Sequence, residues 1–91
     1  MNITEEMILK VCGILNQYDF TKLISAGCPY DEYYPEAKYV LIHMSNNPQW
    51  NKEDIAKSVQ EAFKYYFCGE MLYSFPIDKC REIAEKILKI I

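Results

Sequence analysis

Three carboxylates that lie close together are the first residues that could do chemistry. Asp31, Glu32 and Glu36 fall within six positions of one another. Paired carboxylates can transfer protons or bind a hard cation such as Ca²⁺. No calcium-loop spacing surrounds them, however, and acidic residues are also expected at the start of a helix because the helix dipole is positive there. The spacing therefore favours a structural or a protein-binding role over catalysis or metal binding.

The other reactive side chains are one histidine and four cysteines. Cys12, Cys28, Cys68 and Cys80 are separated by 16, 40 and 12 positions, so no CxxC pair occurs. Zinc sites usually require close ligand pairs, and a cysteine nucleophile would need His43 beside it with a third residue to orient the imidazole. The three glycines are scattered and form no phosphate-binding loop. We therefore predict no enzymatic activity, no metal site and no cofactor.

Tyrosines accompany the carboxylates. Tyr30, Tyr33 and Tyr34 share the acidic segment, and tyrosine is favoured in recognition surfaces because it supplies a large contact area at low entropic cost. We predict that this segment binds a basic protein partner. The alternative is that Tyr33 and Tyr34 close one end of the core, with one ring packed inside and the other outside. The predicted partner-binding residues are Asp19, Tyr30, Asp31, Glu32, Tyr33, Tyr34 and Glu36.

Charge is distributed unevenly along the chain. Residues 1–36 carry six acids and two lysines, whereas residues 37–91 carry seven acids and eight basic side chains. An acidic first third argues against nucleic acid as its ligand, because phosphate binding requires a basic surface. No apolar run approaches the roughly 20 residues of a membrane span, and Glu5 and Glu6 stand where a signal peptide would be basic. These features predict a cytoplasmic protein that binds neither membrane nor nucleic acid.

Four segments have the apolar spacing of amphipathic helices, and they must position the acidic segment. The predicted helices are residues 3–18, 35–46, 52–68 and 77–90. Thr4, or Asn2 with Glu5, is expected to cap the first helix, and Asn51 is expected to cap the third. Pro35 suits the first turn of the second helix. Gly13 lies inside the first helix, where a glycine suggests the close approach of another helix.

The predicted fold is all-α. Residues 1–91 should form a single helical domain, a compact bundle of four main helices with a long ordered connection between the first and second helices. With 51% apolar residues, the chain can build a core without a metal ion or a disulfide.

The connection and its flanks resemble a family of small bacterial helical proteins of unknown function. The resemblance rests on Tyr18-Asp19-Phe20, on Leu23-Ile24, and on the segment Gly-Cys-Pro-Tyr-Asp-Glu-Tyr-Tyr-Pro-Glu from Gly27 to Glu36. The family has an aromatic-Asp-Pro opening and a Gly-Ala-Pro-x-Asp-Glu-Tyr-Asp-Pro-Glu segment, and its last helix is similar to residues 80–87. Two departures are Phe20 in place of Pro and Tyr34 in place of a capping Asp, so capping should pass to Asp31 or to backbone groups.

The resemblance implies an immunity-type function. Members of this family look like the immunity proteins encoded beside secreted or contact-delivered bacterial toxins, which would make the basic partner a toxin domain. The resemblance implies no catalytic residues. The alternative function is a helical adaptor or regulatory domain that binds another protein or a second copy of itself, whereas an immunity protein is expected to be monomeric.

Overall fold

The computed structural model describes residues 2–20, 24–47, 49–66 and 75–91. These residues form four α-helices and no strand, so the predicted all-α bundle is confirmed for the described part of the chain. The helices are α1 (Glu5–Tyr18), α2 (Tyr34–Asn46), α3 (Lys52–Tyr66) and α4 (Ile77–Ile90). None of them is long and apolar enough to cross a lipid bilayer.

The helix starts follow local capping chemistry. α1 begins two residues later than predicted, because the Thr4 side chain accepts a hydrogen bond from the Met7 backbone N–H (3.1 Å). α3 begins with a reciprocal pair: the Asn51 side chain accepts from the Asp54 N–H, and the Asp54 carboxylate accepts from the Asn51 N–H. α4 matches the predicted range. The predicted end of the third helix at residue 68 lies outside the described residues.

Each helix contacts the two that neighbour it in a ring. α1 packs against α2 and α4, and α3 packs against the same two, so α2 and α4 lie diagonally across the bundle. The Cα radius of gyration is 12.2 Å, which is what a compact chain of this length should have. The core is lined by apolar faces of all four helices together with Tyr33 from the connection.

Rings from several elements meet at Phe63 of α3. Its ring lies 5.1 Å from the Phe20 ring, 5.5 Å from the Tyr33 ring and 5.4 Å from the Phe75 ring, measured between centroids. Phe20 and Tyr33 belong to the connection between α1 and α2, and Phe75 precedes α4. The described part of the connection is therefore packed onto the core, in keeping with the ordered connection that the sequence predicted.

Candidate functional site

Asp19 ends α1 and organises the connection that follows it. It adopts a left-handed conformation (φ 46°), and its backbone N–H donates to the Leu15 carbonyl at 2.9 Å. Its carboxylate accepts hydrogen bonds from the Ile24 N–H (3.0 Å), from the Ser25 N–H (2.9 Å) and hydroxyl (2.6 Å), and from the Tyr33 hydroxyl. One side chain thus ties the end of α1 to both halves of the connection.

The environment of Asp19 favours its ionised form. Burial alone would raise its pKa, but hydrogen bonds from Ser25, Tyr33 and Ile24 outweigh that effect and lower the pKa to about 2. The side chain is only 7% exposed. Asp19 is therefore a buried structural carboxylate, and its side chain is not part of the accessible surface.

Tyr33 is the partner of Asp19 in the core. It is completely buried, and its ring packs edge-on against Phe63. Of the two adjacent tyrosines, Tyr33 is inside and Tyr34 is partly exposed, as the alternative in the sequence analysis anticipated. Tyr33 therefore holds the connection onto the core.

The Tyr30 backbone carbonyl is a second attachment point. It accepts hydrogen bonds from the Asn16 side chain (2.8 Å) and from the Cys12 thiol (3.4 Å), both on α1. The Tyr30 hydroxyl lies 2.5 Å from the position that a Cβ on Gly13 would occupy. Gly13 does mark a close approach, but the approaching group is the Tyr30 side chain and not another helix.

Tight turns define the backbone that carries the acidic residues. The Glu32 N–H donates to the Pro29 carbonyl and the Tyr34 N–H donates to the Asp31 carbonyl, each at 3.0 Å. The start of α2 is thus preceded by backbone hydrogen bonds, and the N-cap residue Tyr33 makes no side-chain capping hydrogen bond. We call residues 27–33 the acidic loop. Its Tyr30 and Asp31 side chains are exposed, and Glu32 is half-buried.

Glu36 lies in the first turn of α2 but not at the surface. It is 2% exposed, and its Oε2 atom has no hydrogen-bond partner among the described residues. Burial raises its pKa to about 7; its own backbone N–H acts in the opposite direction, and the nearby Glu32 adds to the rise. Glu36 is therefore a buried acid whose neutral form is favoured far more than that of an exposed glutamate.

The seven predicted partner-binding residues thus divide by burial. The side chains of Asp19, Tyr33 and Glu36 lie in the core, where a partner cannot reach them in this conformation. Their sequence neighbours Tyr30, Asp31, Glu32 and Tyr34 keep accessible side chains. The candidate site is accordingly the outer surface of the acidic loop, supported from beneath by the buried members.

A second surface feature, which was not predicted from the sequence, lies on the outer face of α2. It is a groove of about 560 Å³ lined by Tyr34, Pro35, Lys38, Tyr39, Ile42, His43, Asn46 and Tyr66. We call it the tyrosine groove. Beside it, the Tyr65 ring stacks on Tyr39 with 6.0 Å between centroids. The sequence pattern that could have predicted the groove is the helical spacing in α2. Residues 35, 38, 39, 42, 43 and 46 form one continuous stripe opposite the buried face.

Comparison with known proteins identifies no relative: no protein-family model, no curated protein and no solved structure matches the chain.

The three described cysteines are free thiols, and burial favours the protonated form of two of them, Cys12 and Cys80. Burial raises the pKa of Cys12, and it raises the pKa of Cys80 to about 11. Only thiolates are effective nucleophiles and metal ligands. Within the described ranges, no group of three or more His, Cys, Asp or Glu residues is arranged to hold a metal ion; Cys68 lies outside those ranges.

Proposed function

We propose that this chain is an immunity-type protein, which binds a basic bacterial toxin domain in the cytoplasm and neutralises it by contact, without catalysis. The proposal joins two lines of support. One is the resemblance of the acidic segment to the immunity-like family. The other is the geometry of the acidic loop.

The observation that carries the proposal is the way in which the acidic loop is held. Asp19 and Tyr33 fix its flanks, and Asn16 with Cys12 fixes the Tyr30 carbonyl. Ordering a loop at the moment of binding costs free energy, so a loop that is already fixed binds more tightly for the same contacts. Such a loop suits a protein whose task is to hold one partner.

The expected contacts are the accessible members of the predicted set. Tyr30 is 62% exposed, and Asp31 and Glu32 lie beside it. An exposed aromatic ring next to two carboxylates matches a surface that is rich in lysine and arginine, where complementary charge speeds association and selects the partner. Tyr34 would lie at the edge of this contact. Asp19, Tyr33 and Glu36 would support it without touching the partner.

The first test is the reading frame next to the gene, since immunity genes lie beside their toxins. If a toxin domain is encoded there, its binding to the chain should be measured by calorimetry and its toxicity by growth on co-expression. The double variant Asp31→Lys/Glu32→Lys should weaken binding by about 100-fold or more and remove protection, because charges that attract the partner become repulsive.

The matched control is Glu61→Lys, a charge reversal at an exposed residue of α3. It should leave binding and protection unchanged. Full protection by the double variant would remove the acidic loop from the interface, and an unrelated operon would argue against an immunity function.

The alternative, a helical adaptor or self-associating domain, is favoured by one observation. Ile42, Tyr65 and Tyr66 expose 42%, 67% and 46% of their surface on adjoining parts of α2 and α3. Apolar groups exposed together often mark a contact with another protein. Light scattering over a concentration series distinguishes the two: a mass that doubles with concentration would favour self-association.

A further inference from the structure

The tyrosine groove differs in charge from the rest of the molecule. The chain has a formal net charge of −3, yet none of the described residues that line the groove carries a carboxylate. Its ionisable lining groups are the Lys38 ammonium, the His43 imidazole and tyrosine hydroxyls. Among the described residues, Lys38 forms no ion pair. An unpaired cation at the rim of an aromatic groove is complementary to an anion that carries apolar groups.

The dimensions indicate what kind of ligand would fit. The lining runs along α2 from Tyr34 to Asn46, a length of about 18 Å at the helical rise of 1.5 Å per residue. An extended peptide advances about 3.3 Å per residue, so about five or six residues span the groove. The tyrosine rings would receive apolar side chains, and Lys38 at the rim would meet a carboxylate.

We propose that the tyrosine groove binds an extended acidic peptide segment of a protein partner, with aspartate or glutamate at Lys38 and an aromatic or branched apolar side chain between Tyr39 and Tyr66. This site adjoins the acidic loop, with Tyr34 at the edge of both, but its charge has the opposite sign and selects an acidic ligand. The molecule would then bind two partners of opposite charge, or two oppositely charged parts of one partner.

The test begins with selection of random seven-residue peptides displayed on phage against the immobilised full-length chain. The expected winners contain two or more acidic residues and at least one aromatic or branched apolar residue. A fluorescein-labelled copy of the strongest binder is then titrated by fluorescence polarisation. The variant Lys38→Glu should weaken its binding about tenfold or more, and Tyr66→Ala should weaken it about 30-fold, as for an aromatic interface anchor.

Two controls separate this site from the rest of the surface. Lys89→Glu makes the same charge change at an exposed lysine of α4, which lies diagonally across the bundle from α2. It should leave peptide binding within twofold of the wild-type value. The acidic-loop variant Asp31→Lys/Glu32→Lys should also retain peptide binding, so a failure of the proposed immunity function and a failure of the groove are distinguishable.

Several results would overturn the proposal. In the first, selection enriches no acidic peptides. In the second, the selected peptides are basic and no longer bind the acidic-loop variant. In the third, Lys38→Glu leaves peptide binding unchanged. If Lys38→Glu or Tyr66→Ala instead abolishes a concentration-dependent dimer, the groove belongs to a second copy of the chain. Circular dichroism of each variant confirms folding; should Tyr66→Ala unfold, Lys38→Glu alone decides, because Lys38 is exposed and unpaired.

Discussion

At the scale of single residues, the carboxylates of the acidic segment have different chemical roles because their surroundings differ. Asp19 receives hydrogen bonds from backbone and side-chain donors and stays ionised. Glu36 is buried with one oxygen unpartnered among the described residues, which favours its neutral form. Asp31 is exposed and free to meet a partner. A carboxyl group therefore fixes the connection at Asp19, favours its neutral form at Glu36 and offers a charge to a partner at Asp31.

Replacing Asp19 tests the first of these roles. Asp19→Asn keeps a residue that tolerates the left-handed conformation but removes the charge and places an amide against buried donors. We expect the free energy of unfolding to fall by about 2–3 kcal/mol at pH 7, measured by urea denaturation.

The pH dependence of the Asp19 effect has a definite sign. The pKa of Asp19 is lowered from 3.8 to about 2 on folding, so its stabilisation is complete above pH 3.8 and is lost as the pH falls towards 2. The wild-type advantage over Asp19→Asn should shrink across that window. An advantage that is independent of pH would show that packing, and not ionisation, is responsible.

Glu36 leads to the opposite expectation. Its pKa is raised from 4.5 to about 7, so between these values the folded state holds a proton that the unfolded state has released, and stability falls as the pH rises. Glu36→Gln should therefore increase the free energy of unfolding by about 2 kcal/mol at pH 8 and have little effect at pH 4. Urea denaturation at several pH values measures this, with Glu61→Gln as the exposed control. An equal gain at both pH values would argue against a buried ionisation.

At the scale of elements, the sequence was sufficient to predict the helices but not the burial within the connection. Apolar spacing recurs along each helix, so their existence and most of their ends follow from local pattern, and Thr4 and Asn51 cap as expected. The burial of Tyr33 and Glu36 depends on where α1 and α3 lie relative to the connection, which no local pattern encodes. An acidic, tyrosine-rich segment is consequently predicted mainly as surface, although Tyr33 and Glu36 lie inside.

Gly13 shows how one helix and the connection are matched. Alanine in its place should favour the helix by about 1 kcal/mol, but its Cβ would meet the Tyr30 hydroxyl at 2.5 Å. That hydroxyl is the far end of an exposed side chain, so Gly13→Ala should displace the Tyr30 ring and leave stability unchanged or slightly higher. In the Tyr30→Ala background, the same change should give the full gain of about 1 kcal/mol.

Thermal denaturation of the four species in this double-mutant cycle measures the coupling, and the ring signals of Tyr30 in NMR spectra report its displacement. A large loss of stability for Gly13→Ala in both backgrounds would mean that α1 meets something other than Tyr30 at this point. If Gly13→Ala moves the Tyr30 ring without loss of stability, the variant can also be used to test whether the position of that ring affects binding of the proposed partner.

At the scale of the whole molecule, aromatic residues divide between a buried cluster centred on Phe63 and an exposed group on α2 and α3. Phe63 contacts rings from the connection and from the segment before α4. Tyr65, two positions later, is 67% exposed; among the described rings it stacks on Tyr39 and meets Tyr66 edge-on. A chain of this length is expected to be stable by about 5–14 kcal/mol in total, so the two positions should differ sharply in their effect on folding.

Alanine substitution of Phe63 and of Tyr65 tests whether the exposed tyrosines contribute to stability as the buried rings do. Phe63→Ala should cost about 3–5 kcal/mol, because it opens a cavity where several elements meet. Tyr65→Ala should cost about 1 kcal/mol, the value of an exposed ring pair. Calorimetric unfolding of the two variants gives both numbers. If Tyr65→Ala destabilised the chain as much as Phe63→Ala, the tyrosine surface would belong to the fold itself, and the case for a binding groove beside it would lose its basis.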